Sequence, residues 1–153
     1  MRIQMPPMPG QQSIVIDTNA VLGWLVFRDP WSTQLEQRLL TGRVIWLASP
    51  AMVDELSHVL SRPLPSRWEA AREHALTLPW VERASIVDSC DQPSPAGLVC
   101  RDRDDQKFLD LAFGRRAAWL LSLDRDLLAL RARAAIHGLS IGTPQQWAAT
   151  PPG

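Results

Sequence analysis

Residues 13 to 25, Ser-Ile-Val-Ile-Asp-Thr-Asn-Ala-Val-Leu-Gly-Trp-Leu, constrain the fold most, because an apolar run stops at three polar residues and then resumes with helical spacing. Ile14, Val15 and Ile16 are continuous and β-branched, which suits a strand covered on both faces of a parallel sheet. Asp17, Thr18 and Asn19 then fall at the strand's carboxyl end, the edge of an open α/β sheet where ligands bind. All three are also good N-cap residues, so Asp17 either caps the helix that follows or holds a metal.

The rest of the chain alternates strands and helices. Strands are expected over 44–48, 84–87, 118–123 and 139–141, and helices over 31–40, 65–78, 127–132 and from Thr143-Pro144 through Trp147. Trp68, Ala71, Ala75 and Leu78 form the expected inner face of the helix over 65–78. Residues 88–97 carry two prolines, a glycine and two aspartates and read as a surface loop. Such alternation argues for a parallel sheet covered on both faces. At 153 residues the chain fits one domain over 13–150, with 1–12 as a leader outside the fold.

Ser49-Pro50 opens a further helix, the serine as cap and the proline at the first helical position. Met52, Val53, Leu56, Val59 and Leu60 form its apolar stripe; Asp54 lies nearly opposite, whereas Glu55 sits at the stripe's edge beside Val59. Asp102, Asp104 and Asp105 precede another helix, which runs to about Arg115. Phe108, Leu109 and Ala112 follow Asp105 at helical spacing, so Asp105 shares their inward face while Asp110 points away. An ionised carboxylate facing inward is costly unless a cap, an arginine or a cation compensates it. The strand over 118–123 ends in acid too, at Asp124, with Asp126 beyond.

Parallel strands share one carboxyl edge, which brings Asp17 and Asp124 together. Glu55 arrives from its flanking helix, and Asp105 is expected to need a tilted helix or a long connecting loop to join them. Two carboxylates about 4 Å apart repel by roughly 4 kcal/mol at an effective dielectric of 20. Protons or a hard divalent cation must relieve four of them, and oxygen donors select magnesium or manganese over zinc. Such an ion activates water and neutralises a phosphate under attack. Singly, Asp17, Asp104 and Asp124 read as helix caps and Glu55 as a solvated helix face; jointly they favour a metal site.

Other features narrow the function less. Sixteen basic and sixteen acidic residues cancel, so no global positive field attracts nucleic acid. Lys107 is the only lysine; Arg101, Arg103 and Arg125 lie beside the acids and are candidates for phosphate contact. His58, His74 and His137 lack metal-ligand spacing, and Cys90 and Cys100 lack a zinc pattern and are not expected to pair. No apolar run is long enough to span a membrane and no signal pattern opens the chain, so a cytoplasmic location is expected. Most of the seven tryptophans fit apolar stripes or strands and belong to the core, with Trp24 and Trp31 as candidates for a partner surface. Gly-rich phosphate-binding fingerprints are absent, and Asp17 is not followed by the second acid of an Asp-x-Asp nucleophile motif.

Four segments in order, Val-Ile-Asp-Thr-Asn, Asp-Glu-Leu-Ser-His-Val-Leu-Ser-Arg-Pro, Cys-Arg-Asp-Arg-Asp-Asp-Gln-Lys-Phe-Leu and Leu-Leu-Ser-Leu-Asp-Arg-Asp-Leu-Leu, resemble the PIN-domain ribonucleases over residues 13–149. The closer resemblance is to the branch that supplies toxin components of bacterial toxin–antitoxin systems. It implies a three-layer α/β/α sandwich with a mostly parallel central sheet of four or five strands. It also implies an endonuclease for single-stranded RNA that depends on Mg2+ or Mn2+, is held in check by a cognate antitoxin and often dimerises. Carried across by motif, the catalytic and metal-holding acids are Asp17, Glu55, Asp105 and Asp124, supported by Thr18, Asn19, Asp104, Ser122 and Asp126. Arg103 and Gln106 depart from the family pattern, Arg103 standing where a proline is common and Gln106 where Asp or Asn is usual, so that a helper carboxylate is missing. That departure motivates an alternative, a catalytically weak PIN-like module that binds RNA or a protein partner.

Overall fold

The structure, a computed structural model, describes residues 10–88, 94–95 and 98–151. Strands β1 (Gln12–Ile16), β2 (Val44–Ala48), β3 (Ser85–Ile86), β4 (Trp119–Leu121) and β5 (Ser140–Gly142) form one sheet in the order β3-β2-β1-β4-β5. Every pairing is parallel. Ile14 and Val15 are 0% exposed and Ile16 3%. Because neighbouring side chains on a strand point to opposite faces, both faces of β1 are covered and the molecule has three layers. The expected α/β/α sandwich with a parallel sheet is therefore the observed fold, with five strands.

Helices α1 (Thr18–Leu25), α2 (Ser32–Leu40), α3 (Pro50–Leu60) and α4 (Ser66–Thr77) alternate with the first three strands. After a 3-10 turn over Arg103–Asp105 come α5 (Gln106–Gly114), α6 (Arg125–Leu128), α7 (Arg131–Ile136) and α8 (Pro144–Ala148). The capping chemistry follows the sequence: Ser49 caps α3 ahead of Pro50, and Thr143 with Gln146 closes a reciprocal capping box on α8. Buried Arg38 stacks on the Trp147 ring at 4.5 Å and donates to the carbonyls of Trp147, Ala148 and Thr150, so α2 ties down the end of α8. Among the described residues no helix is long and apolar enough to cross a membrane.

Several expectations are corrected. Gln12 belongs to the sheet and not to a leader, since its N–H donates to the Arg43 carbonyl at 2.9 Å; residues 1–9 lie outside the described residues. The single helix over 127–132 is two short ones, because Asp124 caps the chain at Arg125, earlier than the apolar run suggests. On α4 only Ala75 is buried, and Trp68 instead packs edge-on against Phe27, 4.8 Å between ring centres. Trp24 and Trp31 form no surface: Trp24 is enclosed by Trp46 and Trp80 at 5.2 and 5.6 Å, and Trp31 is also buried. Cys100 is buried, while Cys90 and much of the expected loop over 88–97 lie outside the described residues.

The helix before β4 needs no special tilt. α5 packs on β1 and β4, and only residues 115–118 link its end to the start of β4. A helix so connected runs against its strand and starts at that strand's carboxyl end. Asp105, immediately before α5, therefore lies at the edge where Asp17 and Asp124 emerge.

Candidate functional site

Asp17 follows β1 directly, and its backbone N–H donates to Leu121 O at 3.0 Å, so β1 and β4 end side by side. Asp17 is 3% exposed, and each of its carboxylate oxygens accepts a hydrogen bond. Oδ1 accepts from the Ala20 N–H at 2.8 Å, as an N-cap, and Oδ2 accepts from Ser122 Oγ. Cap and cleft wall are thus the same carboxylate. Burial pushes the Asp17 carboxyl up from its ordinary value, against the hydrogen bonds from Ser122 and Ala20 that pull it down.

Asp124 is the N-cap of α6, accepting from the Asp126 N–H at 2.9 Å, while its own N–H donates to Ser122 Oγ at 2.9 Å. Ser122 therefore joins Asp17 to the turn that carries Asp124. Asp105 lies beside Asp124, with carboxylate oxygens within 4.8 Å, and burial first, then that acid partner, pushes the Asp105 carboxyl up to about 7. The proton on Asp105 in turn holds Asp124 below the ordinary carboxylate range. Asp102 and Asp17 add to the repulsion at Asp105.

Glu55 comes from the middle of α3 and is half-buried, whereas Asp54 beside it is exposed. Glu55 Oε1 accepts from Lys107 Nζ at 2.8 Å and Oε2 from Thr18 Oγ1. Burial alone would raise its carboxyl, but the hydrogen bonds from Lys107 and Thr18 and the lysine's charge hold it below the ordinary range.

The four acids meet. Asp17, Glu55, Asp105 and Asp124 line one cleft of about 150 Å3 together with Thr18, Asn19 and Val59. One carboxylate oxygen from each of Asp102, Asp105 and Asp124 lies within 4.8 Å of the other two. Around an octahedral magnesium ion with bond lengths of about 2.1 Å, neighbouring oxygens are roughly 3.0 Å apart and opposite ones roughly 4.2 Å, so this triangle must contract to hold one. The donors are all hard oxygens and one of them carries a proton that a cation can replace; the residues present fit a divalent ion.

Not every expected residue joins the cleft. Asp104 is exposed and gives its backbone instead, its N–H to Asp102 at 3.0 Å and its carbonyl to Lys107 at 2.7 Å. Asp126 contributes an N–H, and Arg101, Arg103 and Arg125 are exposed outside the cleft lining. Gln106 faces elsewhere, accepting from the Cys100 N–H at 2.6 Å and donating to Asp110 at 2.9 Å and Leu98 O at 3.3 Å. Asp102 and Lys107 were not selected from sequence. For Lys107 a signal existed: a lone lysine in a helix's first turn, where a positive charge opposes the helix dipole, needs an acidic partner.

Comparison with known proteins decides the family. The profile of the PIN domain family matches residues 13–126, which spans all four acids. The chain belongs to the PIN domain family. An uncharacterized protein of Methanocaldococcus jannaschii, MJ1680, is 25% identical to this PIN domain over 118 residues, covering 77% of this chain and 74% of that protein. The crystal structure of VapBC2 from Rickettsia felis, bound to a DNA fragment from their promoter, contains a chain of the same fold. The two superpose with a TM-score of 0.55 at 16% identity, over 84% of this chain and 96% of that one.

Proposed function

We propose that this PIN domain is a Mg2+- or Mn2+-dependent endonuclease for single-stranded RNA and serves as the toxin of a toxin–antitoxin pair. The observation that carries the reading is the convergence of Asp17, Glu55, Asp105 and Asp124 on one open cleft at the carboxyl edge of the sheet. A divalent ion bound there supplies an activated water and neutralises the charge of the phosphate under attack.

The chain's own residues prepare that chemistry. Ser122 and the Ala20 N–H fix both oxygens of Asp17, so its carboxylate does not rotate. Asp105 and Asp124 hold a proton between them until a cation takes over their charge. Asn19 and Thr18 line the cleft from the first turn of α1, and Asp104 and Asp126 brace the flanking turns through their backbone N–H groups. Exposed Arg101, Arg103 and Arg125 beside the acids are suited to contact the RNA backbone outside the cleft.

The alternative of a catalytically weak binding module rests on Gln106 and on the lack of a basic excess; of these, Gln106 is occupied with residues 98–100 and Asp110 instead of standing in for a cleft acid. An antitoxin partner and a dimer follow from the resemblance to the toxin branch, with which the fold shared with the VapBC2 chain agrees, and a cytoplasmic location belongs to the same reading.

The test is a manganese titration with single-stranded RNA, comparing the native chain with Asp17→Asn. Metal-dependent cleavage by the native chain alone is expected. Cleavage by neither protein would replace the nuclease with the binding module, and equal cleavage by both would assign it to a contaminant.

A further inference from the structure

One cation of the site is supplied by the protein itself, an inference that rests on the metal-dependent reading above. Lys107 lies in the first turn of α5 and is the chain's only lysine. Its Nζ is 2.8 Å from Glu55 Oε1 and donates to the Asp104 carbonyl at 2.7 Å. The other oxygen of Glu55 accepts from Thr18. Protein donors therefore hold both oxygens of Glu55, as they do both oxygens of Asp17, but at Glu55 one donor is itself a full positive charge.

The convergence of the other acids agrees. Among the described residues, the acids whose oxygens gather within reach of one ion are Asp102, Asp105 and Asp124, and Glu55 is not among them. Lys107 also lines a groove of about 450 Å3 with Ser49, Pro50, Ala51, Asp88, Asp110 and Leu111. The Lys107 and Glu55 side chains are themselves 29% and 33% exposed, so a hydrated ion has access to Glu55 once the ammonium is removed.

We propose that Lys107 takes the place of a second divalent ion at Glu55, so that the site binds a single ion on the Asp105–Asp124 side. Glu55 then acts by holding the lysine. A divalent ion at Glu55 would have to break a close ion pair and sit beside an ammonium of like charge, which the site resists as long as Lys107 is present.

The experiment is calorimetric titration of the full chain with Mn2+ alone, with bound ions counted by electron paramagnetic resonance. The expected stoichiometry is one ion for the native chain, two for Lys107→Met, and one again for Lys107→Met combined with Glu55→Gln. Two ions on the native chain, or one on Lys107→Met, would overturn the proposal while leaving a metal site in place. No ion on the native chain would sink the metal-dependent reading itself and the role of Lys107 with it. Should Lys107→Met fail to fold by circular dichroism, Glu55→Gln alone decides. It is expected to bind one ion with affinity lowered by no more than about 100-fold, the upper range for a residue that acts around a metal's ligands. Complete loss of binding would overturn the proposal.

Discussion

Ser122 Oγ donates to the carboxylate of Asp17, joining the end of β4 to the end of β1 across 105 residues of chain. Both side chains are buried, so the serine supplies a partner that water does not. Ser122→Ala leaves a buried carboxylate oxygen without its donor and is expected to destabilise the fold by about 1–3 kcal/mol. It also raises the Asp17 carboxyl further, so Mn2+ affinity falls near neutral pH. Urea denaturation and calorimetry check both; an unchanged midpoint would mean that the hydrogen bond contributes nothing net.

Asp17 performs two tasks that two substitutions separate. Asn keeps an oxygen for the Ala20 N–H and is as good a cap as Asp, whereas Ala loses the cap, at a cost of about 1 kcal/mol. Metal-dependent cleavage is expected to vanish in both variants, with Asp17→Ala melting below Asp17→Asn. Equal melting temperatures would remove the cap from the account.

Much of this was legible in the sequence because the strongest signals are local. Ile14 to Ile16 announce a strand covered on both faces, and Ser49-Pro50 and Thr143-Pro144 announce helix starts, since each depends on neighbours in the chain. Helical spacing puts Glu55 at the edge of the apolar stripe and Asp54 opposite it for the same reason. What the sequence hid depends on residues far apart. Lys107 meets Glu55 across 52 residues, and Asp102 enters the acid cluster only once the 3-10 turn over Arg103–Asp105 has folded back toward Asp124. An aromatic near a helix reads alike for a core and for an interface, and only the packing of Trp24 against Trp46 and Trp80 and the burial of Trp31 tell the two apart.

The proton held at Asp105 predicts how stability depends on pH. Its carboxyl is raised from 3.8 to about 7 in the folded protein, so between those values the folded state binds more protons than the unfolded one. Stability of the metal-free chain should therefore fall as pH rises through this window, with the contribution fully present below 3.8 and lost above about 7. The depressed Asp124 acts the opposite way, on the acid side, where stability is lost as pH drops below its ordinary range. Saturating Mn2+ takes the proton's place and should flatten the decline. Melting temperatures from pH 5 to 8, with and without Mn2+, test this against Asp105→Asn; a metal-free decline of equal size in that variant would assign it to other groups.

Gln106 offers the last discrimination, between a missing helper acid and a staple. Its amide holds Cys100 N–H, Leu98 O and Asp110 at once, which fixes the segment leading into Asp102. Gln106→Glu restores the acid that the family pattern favours, but it removes the donor to Leu98 and sets one carboxylate against another at Asp110. The expected result is a loss of about 1–3 kcal/mol in stability, from buried groups left unpaired. Mn2+ affinity should fall with it, because the chain that presents Asp102 and Asp105 loosens. Tighter Mn2+ binding by Gln106→Glu would mean that the residue at 106 reaches the cleft after all, and that the staple is dispensable to the metal site.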